Sequence, residues 1–369
     1  MSHLASEFGS KLKVTVFGAS HGIAVGAVAD GFPAGEVIDT GQLALFMARR
    51  RPGKPLTTGR READIPELVS GVIPGSREDQ LITCASPLCA IIRNTDARPS
   101  DYNAFADTPR PGHADFTSHI KWGGNADMRG GGHFSGRLTA PICAVGGIAL
   151  QILARRGIYV GAHLDSVGGV RDARFPIKPD KALFDEIAGK PLPVIDDAKG
   201  KEMQKAIAAA ASELDSVGGV VECAVTGLPA GLGEPMFDGV ENLFARALFG
   251  IPAVKGIEFG SGFAGSVLRG SQNNDPFTAV DGKIETETNN SGGILGGITT
   301  GMPVVFRVAF KPTPTIGLPQ RTVSLSRGEP AILEARGRHD PCVALRAVPV
   351  VEAVTALVTL DLLMLCDVK

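Results

Sequence analysis

PRPGHADFTSHIKWGGNADMRGGGHFSGRLTA, residues 109–140, is the stretch from which the rest of the chain is read. It holds His113, His119 and His133, the cations Arg110, Lys121, Arg129 and Arg137, and a run of three glycines, with almost no apolar segment that a core could use. Pro109, Pro111 and Gly112 oppose regular structure. Gly130 to Gly132 let a backbone approach a ligand or another segment closely, because no Cβ stands in the way. Residues 139–156 then read as a helix of small and apolar side chains. A glycine-rich loop opening a helix offers N–H groups at the positive end of the helix dipole, so the stretch predicts an anion site, with Arg110 and Arg137 as its fixed charges. A solvated surface loop with scattered basic residues is the competing account of the same spacing.

The whole chain sets the limits. Its 369 residues can bury a large core. A net charge of -2 leaves no global field for nucleic acid or an anionic membrane, so any anion specificity must be local. No basic segment followed by an apolar run opens the sequence, so no secretory leader is expected. Six cysteines without a CxxC pair read as reduced, buried thiols of a cytoplasmic protein. The apolar C-terminal run, residues 349–366, is interrupted by Glu352 and Asp361 and reads as a buried helix, not a membrane span.

Other segments share the character of the first. Residues 11–17 are strand-like and run into GASHG, residues 18–22, which presents His21 beside Ser20; a plain hairpin turn fits the pentapeptide equally well. Asp39 or Thr40 caps a helix through GQLALFMARRR, which ends at Pro52 and Gly53. Its arginines 49–51, with Arg60 and Arg61, favour an anionic partner, although cations also suit a helix C-terminus. The heptamer LDSVGGV occurs at 164–170 and again at 214–220, a hint of two similar halves. The polar, glycine-rich segment from Ser271 to Gly297 is expected to be a long mobile loop. Arg338, His339, Asp340 and Arg346 gather where GRHDPCVALRAVPVVEA opens the last helix. No linker divides the chain, so residues 1–369 are expected to form one large domain.

The three histidines of the first stretch lack helical ligand spacing and nearby acids, so no metal site is expected. No G-x-S-x-G elbow supports a serine hydrolase. What recurs is histidine or serine beside arginine in glycine-rich loops. Arginine grips phosphate and carboxylate through a planar fork, and histidine can exchange a proton beside them. The combination predicts a phosphorylated, carboxylated small substrate and proton transfer rather than hydrolysis.

Taken together, GASHG (18–22), RRRPG (49–53), TTGRREAD (57–64), IRNTDARPSDY (92–102), RPGHAD (110–115), RGGGHFSGRLTA (129–140), GGILGG (292–297), KPTPT (311–315) and GRHDPCVALRAVPVVEA (337–353) resemble the chorismate synthase family, in its order and spacing. The resemblance implies an α+β fold, a β-α-β sandwich with helices between two antiparallel sheets, assembled as a homotetramer. It implies conversion of 5-enolpyruvylshikimate 3-phosphate to chorismate and phosphate with reduced FMN, NADPH being a possible reductant of the flavin. By the same resemblance, His21 is the proton donor to the leaving phosphate and His113 lies near the flavin. Asp340 relays a proton, and Ser20 and Ser135 complete the hydrogen-bond chain. Arg50, Arg110, Arg137 and Arg338 clamp phosphate and carboxylates. His133, Phe134, Ser135, Ala253, Gly296, Lys311, Pro312, Thr313, Pro314, Thr315 and Arg338 fall where the family holds FMN. Ala19 stands where the family has glutamate, and His133, Phe134, Gly136 and Leu138 replace arginine, serine, alanine and glutamate. An arginine expected shortly after RRRPG is absent, with Lys54 the nearest cation. A non-catalytic binder of flavin or phosphometabolite is the alternative these changes leave open.

Overall fold

The first elements are strands β1 (Glu7–Phe8), β2 (Lys13–Gly18), β3 (Ala24–Asp30) and β4 (Val37–Asp39), then helix α1 (Thr40–Arg50). Strands β5 (Glu67–Ser70), β6 (Val72–Pro74), β7 (Gln80–Thr83) and β8 (Leu88–Arg93) follow, then helices α2 (Asp115–Trp122) and α3 (Thr139–Arg155). Next come β9 (Tyr159–Val167), β10 (Val170–Arg171), α4 (Lys181–Gly189), α5 (Asp197–Ser212), β11 (Gly219–Thr226), α6 (Val240–Leu248), β12 (Val254–Phe259) and α7 (Gly270–Asn273). The hairpins β13 (Phe277–Val280) with β14 (Lys283–Thr286) and β15 (Ile294–Leu295) with β16 (Ile298–Thr299) lead to β17 (Val304–Phe310). The hairpin β18 (Gln320–Ser324) with β19 (Glu329–Leu333) and helix α8 (Ala344–Leu365) complete the chain. This computed structural model describes residues 6–53, 55–60, 62–96, 107–335 and 340–366.

Two five-stranded antiparallel sheets dominate, in the orders β1-β2-β3-β8-β5 and β10-β9-β11-β17-β12. Helix α3 packs on β3 and β8 of the first sheet, α8 packs on β9 and β11 of the second, and the two helices pack on each other. Both are apolar on every side because every side is covered; a one-faced stripe would suit a helix with one face in water. Their backbones approach closely at Gly146, where an added Cβ would lie 2.5 Å from the Ala353 Cβ. By length and composition α8 and the segment Gly136–Arg155 could each cross a membrane, but the protein interior already buries most of both.

The two acids that interrupt α8 tie it to the rest of the fold. Glu352 takes a two-pronged ion pair from Arg49 at 2.6 and 2.8 Å and accepts the Ala162 N–H at 3.1 Å, joining α8, α1 and β9. Asp361 accepts the N–H groups of Ser10, Lys11 and Leu12 at 2.7–2.8 Å. The predicted cap of α1 is Asp39, whose side chain accepts from the Gln42 N–H. All six cysteines are free thiols, and burial pushes Cys143 up to about 12.

Two expectations are corrected. The LDSVGGV copies lie on neighbouring strands of one sheet, where Val167 of β9 opposes Gly219 of β11. One copy ends a strand and the other begins one, so they do not mark two halves. The segment expected to be a mobile loop contains the β13–β14 hairpin, turned by Asp281 and Gly282 at φ 50° and 77°. Behind it, Asp275 accepts from Thr288 Oγ1 and from the N–H groups of Asn290 and Ser291.

Candidate active site

Register fixes the first part of the site. Strands β2 and β3 pair from Lys13 opposite Asp30 to Gly18 opposite Val25, which leaves residues 19–23 as the connecting loop. That loop docks on the glycine-rich segment: the Ser20 N–H donates to the Gly132 carbonyl at 3.1 Å, and the Ser20 hydroxyl donates to the Arg129 carbonyl at 3.1 Å. With its one proton so used, the hydroxyl accepts from His21 Nδ1 at 3.1 Å. Gly130, Gly131 and Gly132 have φ of 70°, 120° and 54°. An added Cβ at Gly130 would lie 2.0 Å from the His21 ring, and one at Gly131 would lie 3.2 Å from His113 Nε2. Two adjacent glycines thus seat two histidines, and side chains there would displace both.

His113 follows a tight turn, with its N–H on the Arg110 carbonyl. Its Nδ1 lies 2.8 Å from Asp115 Oδ1, in the first turn of α2. Arg110 grips the same carboxylate through Nε at 2.7 Å and Nη2 at 2.6 Å. Despite burial, hydrogen bonds from Arg110 and His113 hold the Asp115 carboxyl well below the usual carboxylate range.

Behind His21 lies a buried ionic knot. Arg50 Nη1 donates to Asp64 at 2.5 Å, and Arg137 Nη1 donates to the other oxygen of Asp64. Arg50 is completed by Thr139 Oγ1 and the Gly136 carbonyl, Arg137 by Asn94 Oδ1 and the Arg93 carbonyl. Ser135 Oγ accepts the Arg137 N–H at 3.2 Å. Arg60 donates to Glu62 and to the Ser20 carbonyl, bringing a second guanidinium close to His21. Burial, then the charges of Arg60 and Arg129, lower the His21 pKa.

A cavity of about 900 Å³ opens over these groups, near the top of the ~300–1,000 Å³ range of small-molecule sites. His21, His113, Arg110, Arg137, Ser135 and Asp340 line it, together with His133, Phe134, Ala253, Lys311, Thr313, Pro314 and Thr315. Asp340 accepts from the Thr58 N–H and from Arg346 Nη1, both at 2.8 Å. Ser20 sits fully buried behind His21. Pro312 and Gly296 are outside the wall, and Arg338 falls outside the described residues, as does Lys54.

Three of the expected clamps are engaged within the protein, Arg137 among them at 5% exposure. Arg50 is 1% exposed and spends its guanidinium on protein acceptors, so it orients Asp64 and, through it, Arg137. Arg110 is 3% exposed and serves Asp115 and His113 in the same way. His133 lines the cavity with both ring nitrogens engaged by the protein. Its Nδ1 pairs with the Gly18 carbonyl at 2.9 Å and its Nε2 with Ser6 Oγ at 2.8 Å, which ties the glycine segment to β2.

The cavity lining fits a flat aromatic group carrying a phosphate. Phe134 and Trp122, with ring centroids 5.9 Å apart, give it apolar surface. Thr313 Oγ1 is buried without a hydrogen-bond partner among the described residues, and Lys255 and Lys311 also line the cavity. Burial and then the Lys255 charge lower the Lys311 pKa, a strain that an anion would relieve.

Sequence reasoning missed Asp115, Asp64, Glu62 and Asn94 as parts of the site. All four stand inside quoted motifs, and the signal was there: an acid two residues after His113, and two acids directly after an arginine pair.

The chorismate synthase family model matches residues 12–364. The chorismate synthase of Lancefieldella parvula is 44% identical over 98% of this chain and 96% of its own length. That of Aeropyrum pernix is 46% identical over 97% and 92%. A crystal structure of chorismate synthase superposes with a TM-score of 0.73 at 27% identity, covering 96% of this chain and 92% of the other. The chain belongs to the chorismate synthase family, lyases that act on phosphates.

Proposed function

We propose that the cavity binds 5-enolpyruvylshikimate 3-phosphate beside reduced FMN and eliminates phosphate in a 1,4 sense to give chorismate. The observation that carries this is the seating of His21 and His113 against adjacent glycines of one loop, on a cavity of about 900 Å³. The hydrogen lost from the substrate ring is not acidic, and an electron-rich acceptor for it is the chemistry that reduced FMN supplies when bound.

The protein's own groups do the rest. Arg60 and Arg129 place positive charge beside His21, which favours a phosphate dianion there. Burial lowers the His21 pKa most; an arriving dianion offsets the smaller effect of the Arg60 and Arg129 charges and so favours a protonated ring facing the departing phosphate oxygen. Ser20 would hold the ring in place through its contact with Nδ1. Asp340, held by Thr58 and Arg346, would relay a proton onward by family likeness, and Ser135 steadies Arg137. Thr313, Lys311, Ala253, Pro314, Thr315 and Phe134 would hold the flavin, with Pro312, Gly296 and Arg338 assigned to it by family likeness.

The likeness also supports a homotetramer of single-domain chains, each a sandwich with the helices between two sheets. A cytoplasmic setting, NADPH as flavin reductant, and no nucleic-acid or membrane partner belong to the same reading.

Under anaerobic conditions with reduced FMN, the protein should release phosphate from the substrate. Bound substrate and FMN without phosphate release would instead identify a non-catalytic binder. His113→Ala should lower turnover about 10²-fold or more, the usual loss for a general acid or base. An unchanged rate would remove His113 from the mechanism.

A further inference from the structure

We infer that Asp115 is a positioning residue that locks His113 in one tautomer, with the proton on Nδ1 and the lone pair on Nε2. The inference rests on the reading of His113 as the acid–base group beside the flavin. It is carried by three atoms: His113 Nδ1 lies 2.8 Å from Asp115 Oδ1, and Arg110 Nη2 lies 2.6 Å from that oxygen and 3.2 Å from the same nitrogen.

A carboxylate only accepts hydrogen bonds, so a 2.8 Å contact with Nδ1 requires the proton on that nitrogen. The other arrangement, with Nδ1 accepting from Arg110, would set a bare lone pair against a bare carboxylate oxygen. Arg110 cannot be exchanged for a rotating group: its backbone N–H also donates to Asp115 Oδ2 at 2.9 Å, so the carboxylate is held from its own turn. Nε2 is then the only ring nitrogen able to exchange a proton with the cavity, and it faces the backbone at Gly131.

Asp115→Asn tests this because the amide must choose its orientation. Each oxygen receives two donors, Oδ2 the Arg110 backbone N–H and Nε, Oδ1 the Arg110 Nη2 and His113 Nδ1; the backbone N–H cannot turn away and the side-chain groups can, so the amide oxygen takes the Oδ2 place. The NH2 group then faces His113 Nδ1 and drives the ring to the opposite tautomer. Nitrogen-15 NMR of histidine-labelled protein, at a pH where the shifts report a neutral ring, reads this directly, with the His113 signals assigned by His113→Gln. The wild type is expected to show Nδ1–H, and Asp115→Asn to show Nε2–H.

Turnover of the variant should fall about 10²-fold while KM for the substrate stays within about twofold. Asp115→Glu should restore both the tautomer and part of the rate. An Nε2–H tautomer in the wild type overturns the inference, and needs no folded variant. So does an Asp115→Asn protein that keeps Nδ1–H and full turnover. A changed tautomer with an unchanged rate would support positioning by Asp115 and show that His113 is not the acid–base group.

Discussion

Replacing Gly130 by alanine should lower turnover about 10²–10⁴-fold, the range expected when an acid–base residue is put out of place. The new Cβ would lie 2.0 Å from the His21 ring and 2.9 Å from Ser20 Oγ, at a φ of 70° that alanine adopts only under strain. The His21 ring has to move and its bond to Ser20 goes with it. The strain alone costs about 1–2 kcal/mol. Gly157→Ala separates the two effects, since Gly157 has φ 75° with nothing within 4 Å of the added Cβ. That variant should lose comparable stability and keep its turnover. Full activity in Gly130→Ala would show that the loop does not set the position of His21.

The second large effect concerns stability. Asp64 is 2% exposed and stands between the guanidinium groups of Arg50 and Arg137. Asp64→Asn should cost about 3–5 kcal/mol, because two buried cations then face each other without their shared counter-charge. The two arginines hold the Asp64 carboxyl below its usual range against the opposing effect of burial. A depressed folded-state pKa contributes stability that is present above the unfolded value of about 3.9 and is lost as pH falls through the folded value. The gap between wild type and Asp64→Asn should therefore be full at pH 7 and close on acidification. Urea midpoints for both proteins across that range measure it; a gap below about 1 kcal/mol at neutral pH would show that the knot is not what holds Arg137.

Local patterns carried much of this structure in the sequence. The helix that starts at Thr139, the Asp39 cap, the buried terminal helix and the glycine loop all follow from nearest neighbours along the chain. The Asp281-Gly282 turn between alternating strands was equally local; the polar composition around it masked the hairpin signal. Pairings across long separations were not legible in this way. Arg50 meets Asp64 14 residues on, and Arg137 meets it across 73. An arginine read alone looks like a ligand clamp, and only the fold shows that Arg50 and Arg110 already have carboxylates of their own. His133 went the same way: its partners, Gly18 and Ser6, lie 115 and 127 residues away.

The tie between Asp361 and the N–H groups of Ser10 to Leu12 has a consequence for how the protein is made. These partners are separated by about 350 residues, so the segment leading into the first long strand waits for the last helix before its backbone donors are satisfied. At ~5–20 residues per second, a ribosome delivers that helix roughly 20–70 s after the segment. During that interval the N–H groups of Ser10 to Leu12 lack their native acceptor. Closure entropy must be met before the contact returns any energy, which is the signature of slow, late docking. The capture of residues 10–12 by α8 is therefore a contact that cannot form until the last helix has been made.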